Sequence, residues 1–234
     1  GITIIPINKR LKKVSEYITG DVLADIGSDH AFLPMFCIEN GLIDHAIAGE
    51  VIKGPYQSAV KSVQLHGYQS KIDVRLGDGL TILTAHDKVD TVAICGMGGP
   101  LIARILKEGA AFIQNQPRLV LQSNIQSQPI REFLQNNGYQ ITTETLMKER
   151  AHIYEIIVAD PGKMQLSQRD LKFGPFLHPS PDDLFIEKWE RELEALADIK
   201  KNLNPEKHKQ RWNEISHLES DIKEVLPQCN SKSF

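Results

Sequence analysis

Apolar and polar positions follow two regimes along this chain. Up to residue 159, short apolar runs alternate with longer amphipathic stretches; beyond it, apolar residues recur at helical spacing. In the first regime Val22-Leu23-Ala24, Ala46-Ile47-Ala48, Lys71-Ile72-Asp73-Val74-Arg75, Val89-Asp90-Thr91-Val92-Ala93-Ile94-Cys95 and Arg118-Leu119-Val120-Leu121-Gln122 read as buried strands. Between them, helices are expected over residues 31–38, over 55–65 with Pro55 in the first turn, through Leu106, and over 130–136 with Gly138 closing the last. Ser28 and Asp29 are capping residue types ahead of the first of these. Leu11, Val14, Tyr17 and Ile18 give residues 8–18 an apolar helical stripe. Residues 139–146 and 153–159 are β-rich without a helical pattern between them, which predicts an antiparallel pair at one sheet edge. Strands alternating with helices predict an α/β fold, a doubly wound parallel sheet with right-handed crossovers.

The second regime begins after Asp160-Pro161-Gly162, which reads as a breaker. An irregular segment through Gly174-Pro175 and Pro179-Ser180-Pro181 follows. Ser180 is then the expected N-cap of a helix, with Pro181 in its first position. Trp189, Leu193, Leu196 and Leu203 form one stripe; Trp212, Ile215, Leu218, Ile222 and Val225 form another beyond Asn204-Pro205. Two such stripes predict a short coiled-coil hairpin. The expected domains are therefore residues 1–162, Rossmann-like, and 163–234, a helical extension. Residues 228–234 are expected to fray.

Composition narrows the function classes. The chain has 234 residues, 41% of them hydrophobic and 24% charged, and a formal net charge of −3. No apolar run approaches the ~20 residues a membrane span needs, and the first residues lack the basic leader of a signal peptide. Cys37, Cys95 and Cys229 are odd in number and unpaired in spacing, which predicts reduced thiols in the cytoplasm and no zinc site. The histidines are scattered, so no metal is expected, and no obligate protein partner is evident. The net charge does not announce a nucleic-acid binder; local clusters must carry any such role. One is Lys9, Arg10, Lys12 and Lys13, which fits either a solvated face or a contact with phosphates or a ligand carboxylate. Another is Lys200, Lys201, Lys207, Lys209 and Arg211, set against Glu206 alone around the turn of the hairpin. Solvation is the plain alternative there too; the functional reading is a grip on nucleic-acid phosphates.

The strand ends carry the candidate chemistry. Asp25 precedes Gly27, Glu50 follows the second strand, and Asp78 lies between Gly77 and Gly79 after the third. Ligands of open α/β sheets sit at these carboxyl ends. Asp25 suits an ammonium group, Glu50 both hydroxyls of a ribose, and Asp78 an adenine amino group. S-adenosylmethionine has those three parts. A nicotinamide dinucleotide is the alternative, since an acid after the second strand also suits its ribose. The full G-x-G-x-x-G is nevertheless missing after the first strand.

Asp25-Ile26-Gly27-Ser28-Asp29-His30, Gly49-Glu50-Val51 with Lys53-Gly54-Pro55-Tyr56, Arg75-Leu76-Gly77-Asp78-Gly79 and Cys95-Gly96-Met97-Gly98-Gly99 resemble the signature blocks of the bacterial tRNA (adenine-22-N1)-methyltransferases. Tyr154-Glu155-Ile156-Ile157-Val158 and Phe173-Gly174-Pro175 match later blocks, so the resemblance runs from Asn8 to about Leu203. It implies a class I methyltransferase domain with a helical extension, S-adenosylmethionine as cofactor, and tRNA as substrate. The cofactor loop would fall on Asp25, Gly27, Ser28 and His30, the ribose acid on Glu50 beside Val51, and the adenine contacts on Asp78 and Gly79. The catalytic-loop block would fall on Gly96, Met97 and Gly98, with Asp78 a further catalytic candidate; Cys95, which closes the fourth strand, reads either as lining the pocket beside them or as a small apolar filler. This loop lacks the Asn-Pro-Pro-Tyr type of motif, so no stacking aromatic is assignable there. Adenine N1 carries an in-plane lone pair and needs no strong base, so catalysis is expected to come mainly from alignment. A nicotinamide-dependent oxidoreductase and a non-catalytic tRNA-binding protein of the same fold are the competing functions.

Overall fold

The structure, a computed structural model, describes residues 4–228 and divides into two compact units, Gly1–Gln165 and Leu166–Phe234. The division lies three residues beyond the expected 162/163 boundary, because Asp160-Pro161 does not break the last strand. Asp160 instead pairs with Arg118 at 2.9 Å and stays in the sheet. Cys229, and the fraying expected over 228–234, fall at or outside the end of the described residues.

In the first unit the order is α1 (Lys9–Ser15), β1 (Val22–Ile26), α2 (Phe32–Glu39), β2 (His45–Glu50), α3 (Lys53–Leu65), β3 (Ile72–Leu76), β4 (Thr91–Met97), α4 (Gly99–Glu108), β5 (Arg118–Ser123), α5 (Gln128–Asn136), β6 (Tyr139–Glu149) and β7 (His152–Pro161). The seven strands form one sheet in the order β3-β2-β1-β4-β5-β7-β6. β1 to β5 are parallel; β7 runs antiparallel between β5 and β6. The chain order reverses between β1 and β4, and there the carboxyl ends of neighbouring strands open a crevice for ligand. One face of the sheet packs Val14, Leu33, Met35, Cys37, Ala59 and Val63 from α1, α2 and α3 against Leu23, Ala93, Val120 and Ile156. α4 and α5 pack on each other and against β4, β5 and β6.

Several local expectations are corrected. The first helix stops at Ser15 rather than Ile18. Ser28 and Asp29 do not cap α2: its N-cap is Ala31, and the Ser28 hydroxyl is turned to Asp25. Thr91, not Val89, opens β4, because the Asp90 carboxylate accepts from the Asp21 and Val22 amides at 2.8 and 3.0 Å. Arg131 of α5, fully buried, reaches Glu144 of β6 at 2.8 Å and Glu155 of β7 at 3.1 Å. Nothing in the hydrophobic pattern marks that polar cluster.

The second unit contains α6 (Gln168–Phe173), α7 (Asp183–Lys201) and α8 (Lys209–Val225). α6 lies where an irregular segment was expected. Ser167 and Asp170 form its reciprocal N-terminal cap. α7 starts two residues later than expected; the Asp182 carboxylate, not Ser180, accepts from the Phe185 amide at 2.9 Å. α7 and α8 form the hairpin, with Phe185, Leu196, Ile215, Ile222 and Val225 buried. Phe173 meets Trp189 edge-on at 4.6 Å, while Lys172–Asp221 at 2.7 Å ties α6 to α8.

Candidate active site at the strand ends

The loop after β1 is built from backbone that glycine alone would normally supply. Asp29, His30 and Ala31 have φ of 49°, 64° and 58°, three left-handed residues in succession. Hydrogen bonds hold them there. The Gly27 and Ser28 amides both donate to Gly49 O, at 3.0 and 3.1 Å, and the Asp29 amide donates to Glu50 Oε1. Strain of this kind persists only where surroundings over-determine it, and it clusters at ligand-binding sites. Gly27 itself has φ of 71°, and a Cβ there would overlap Met97 Cε. A side chain at residue 27 would therefore be strained and would displace Met97.

Asp25 is 3% exposed, and its Oδ2 accepts from Ser28 Oγ at 2.6 Å. Burial pushes its pKa up to about 7; the Ser28 hydroxyl opposes that, the Glu50 charge adds to it, and Arg10 offsets part of it. Burial also raises Glu50, against the lowering effect of the Asp29 amide. Glu50 is thus engaged by backbone amides of the loop after β1, Asp29 on Oε1 and Ser28.

A cavity of about 290 Å³ opens along these strand ends, at the small end of ligand clefts (~300–1,000 Å³). Its lining brings together Gly27, Glu50, Val51, Asp78, Gly79 and Met97. Arg104 and Glu108 of α4 also line it, and the sequence does not mark them. Just beyond that lining, Arg75 braces the chain after Thr81: it reaches Ile82 O at 2.9 Å and pairs with Asp87 at 2.8 Å. Other expected site residues lie outside that lining. Asp25 and Ser28 are buried beside Gly27, and His30 is exposed and stacks on Phe32. Cys95 is buried, and burial pushes its thiol pKa far up.

Gly96, with φ of 76°, makes a bulge between Cys95 and Met97. What fixes it is a residue that no sequence motif points to. Gln122 of β5 is fully buried, and its Oε1 accepts both the Gly96 amide at 2.8 Å and the Arg10 guanidinium. Its Nε2 donates to Asn124 Oδ1 at 3.1 Å, and the Asn124 amide donates to Met97 O at 2.8 Å. The Gly99 amide donates to Ile125 O at 2.8 Å, and a Cβ on Gly99 would overlap Gln126 O. The loops after β4 and β5 are thereby locked together.

Arg10 is thus not one of a row of surface cations. It points inward, over the Tyr154 ring at 5.6 Å, with its own amide on Glu149 Oε2 at 3.0 Å. Lys13 pairs with Glu16 at 2.9 Å, while Lys9 and Lys12 are exposed. In the hairpin, Lys200 of α7 reaches across to α8, 2.6 Å from Glu219 and over Trp212 at 4.5 Å. Lys201 faces Asp198 at 3.3 Å, and Arg211 faces Glu214 at 3.7 Å. Lys207 and Lys209 are exposed, with no ion pair among the described residues.

Residues 23–226 match the family model for tRNA (adenine(22)-N(1))-methyltransferase. The chain belongs to this family. A Bacillus subtilis tRNA (adenine(22)-N(1))-methyltransferase is 37% identical over 233 residues, covering 95% of this chain and 98% of that protein. A Streptococcus pneumoniae structure, described as a putative tRNA (m1A22) methyltransferase in complex with S-adenosyl-L-methionine, is 44% identical with a TM-score of 0.86; the match covers 94% of this chain and all of that one (100%). An M. capricolum relative solved with S-adenosylhomocysteine is 26% identical, with a TM-score of 0.84, over 94% of this chain and 99% of that one. Family membership replaces the nicotinamide alternative. Among the described residues no helix is long and apolar enough to cross a membrane, and no cluster of potential metal ligands occurs.

Proposed function

We propose that this methyltransferase uses the strand-end cleft to carry a methyl group from S-adenosylmethionine to ring nitrogen N1 of an adenine in tRNA, adenine 22 by its family's description. The observation that carries the reading is the grouping of three acids at the ends of neighbouring strands around one glycine-lined cavity: buried Asp25 beside Gly27, Glu50 and Asp78. Those groups fit the cofactor part by part. Asp25 takes the ammonium, Glu50 a ribose hydroxyl, and Asp78 with Gly79 the adenine edge. Arg10 sits beside Gly96 and Asp25 and takes the cofactor carboxylate, a different role from its lysine neighbours.

Bound S-adenosylmethionine supplies a methyl group on an electron-poor sulfur. The protein's task is alignment. The Gly96–Met97 bulge, held by Gln122, sets where the target base approaches, and Met97 packed beside Gly27 forms part of the cavity wall there. N1 has no proton to lose, so no general base is assigned; the positive charge that develops on the ring is met by loop carbonyls. N1 lies on the Watson–Crick edge, so the base must be unpaired or extruded. Lys9 and Lys12 of α1, and Lys207 and Lys209 beside the hairpin turn, are proposed to contact tRNA phosphates. Incubation of tRNA with labelled cofactor, followed by mapping of modified adenosines, tests the reading. Label at N1 of a single adenine supports it; no label in any tRNA defeats it.

A further inference from the structure

We infer that His152 and Tyr154, the first and third residues of β7, together with Ile125 form the slot in which the extruded target adenine stacks. The inference rests on the methyl-transfer reading above and adds the base-binding surface that the loop after β4 does not carry in its own sequence. His152 is exposed and Tyr154 half-buried, with ring centroids 4.4 Å apart and planes tilted by 43°. His152 Nε2 lies 3.1 Å from Asn124 O, and the Asn124 amide is bonded to Met97 O. The ring pair is thereby anchored one residue link from the catalytic loop.

Ile125 supplies the apolar side of the slot. It is 55% exposed, and its Cγ1 lies 3.6 Å from where a Cβ on Gly98 would be. An apolar side chain this exposed, next to a glycine loop and an aromatic pair, suits the flat face of a purine. Arg10 closes the inner end, over Tyr154 and within 4 Å of the Gly96 Cβ position. Arg150 is exposed in the β6–β7 turn two residues from His152, placed to meet the phosphate of a splayed nucleotide. Aromatic faces hold unstacked bases in this way in many single-strand sites.

The test uses His152→Ala, His152→Phe, Tyr154→Leu and Tyr154→Phe in the whole protein. Loss of a stacking ring is expected to lower kcat/KM for tRNA methylation roughly ten- to hundredfold, while both phenylalanine variants stay within about threefold. S-adenosylhomocysteine affinity by calorimetry is expected to stay within about twofold throughout. A tRNA carrying 2-aminopurine at the target position should fluoresce more brightly in complex with His152→Ala than with the wild type. Wild-type rates in both His152→Ala and Tyr154→Leu overturn the inference. So does a loss of methylation matched by loss of S-adenosylhomocysteine binding, which marks the rings as merely structural. Failure of the wild-type protein to methylate any tRNA would instead strike the methyl-transfer reading.

Discussion

The strand-end cleft and the hairpin turn both bring charged residues together, but in opposite ways. At the cleft, Glu50 in its lining and Asp25 beside it are buried at 7% and 3% exposure, and each is fixed by a named donor. At the hairpin turn the cations are mostly exposed, and several face acids on their own helix or across to the next. In the low-dielectric cleft a single carboxylate is expected to change binding by itself. At the turn, solvent and salt reduce each pair to ~0–1 kcal/mol, so only the summed charge matters.

The largest effect should follow from Glu50→Ala. This carboxylate holds the Asp29 amide of the left-handed loop and is proposed to take a ribose hydroxyl. Hydrogen bonds to charged groups contribute roughly 1.5–3 kcal/mol each. Calorimetric titration with S-adenosylhomocysteine should show affinity reduced by about a hundredfold or more. Unchanged affinity would remove Glu50 from the cofactor site and leave the cleft with no more individual sensitivity than the hairpin.

Next comes the pH response of Asp25, whose pKa of about 7 lies above its ordinary 3.8. A carboxyl raised on folding binds more protons in the folded than in the unfolded chain. Its contribution to stability is therefore greatest below 3.8 and falls as pH rises towards 7. A cationic ammonium favours the ionised form, so cofactor binding below pH 7 should expel a proton. Affinity should rise by up to about tenfold per pH unit there and level off above. Titration at pH 6 in buffers of different ionisation enthalpy measures the proton directly. Asp25→Asn should abolish both the release and the slope; proton release that persists in this variant would assign it to another group.

What the sequence makes legible follows the same division. Glycines and acids at strand ends are local features, so Asp25, Gly27, Glu50 and Asp78 read as a candidate cofactor site from residue order, whereas Met97 enters only through the family resemblance. Stripes at helical spacing likewise announce α7 and α8. Groups that meet across the sheet leave no such trace. Gln122 lies on β5, Arg10 on α1 and Gly96 on β4; no spacing rule links them. The Lys200–Glu219 contact joins two helices, so charges counted only through Arg211 make the turn look more basic than the fold leaves it. α6 escapes the hydrophobic pattern because six residues are too few for a periodic stripe, although its Ser167–Asp170 cap is readable.

A smaller effect is expected at the hub beneath the Gly96 bulge. Gln122→Ala would leave the Gly96 amide and the Arg10 guanidinium without their shared acceptor. An orphaned buried donor costs about 1–3 kcal/mol. Arg10→Ala should likewise destabilise the protein, unlike an exposed lysine on the same helix such as Lys12. Thermal unfolding of Gln122→Ala, Arg10→Ala and Lys12→Ala makes the comparison. A melting temperature unchanged in all three would mean that the hub adds nothing to stability.

The smallest effect belongs to the hairpin, and it separates cations that the sequence groups together. Lys207 and Lys209 are exposed without ion pairs among the described residues, whereas Lys200 is 20% exposed between Glu219 and Trp212. Reversing Lys207 and Lys209 to glutamate should weaken tRNA binding several-fold. It should also flatten the salt dependence by about 0.7–0.9 log units per tenfold salt for each phosphate no longer neutralised. Cofactor affinity and melting temperature should not move. Lys200→Glu should behave in the reverse sense. It sets a carboxylate against Glu219 and removes a cation–π contact of about 0.5–1 kcal/mol, so stability falls while the salt slope barely changes. Binding isotherms at several salt concentrations, paired with thermal unfolding, read both quantities on the same proteins. Equal salt slopes for the wild type and the Lys207/Lys209 variant would take the turn out of the RNA interface. A shallower slope for Lys200→Glu without a fall in stability would show that its contacts on α8 yield to RNA.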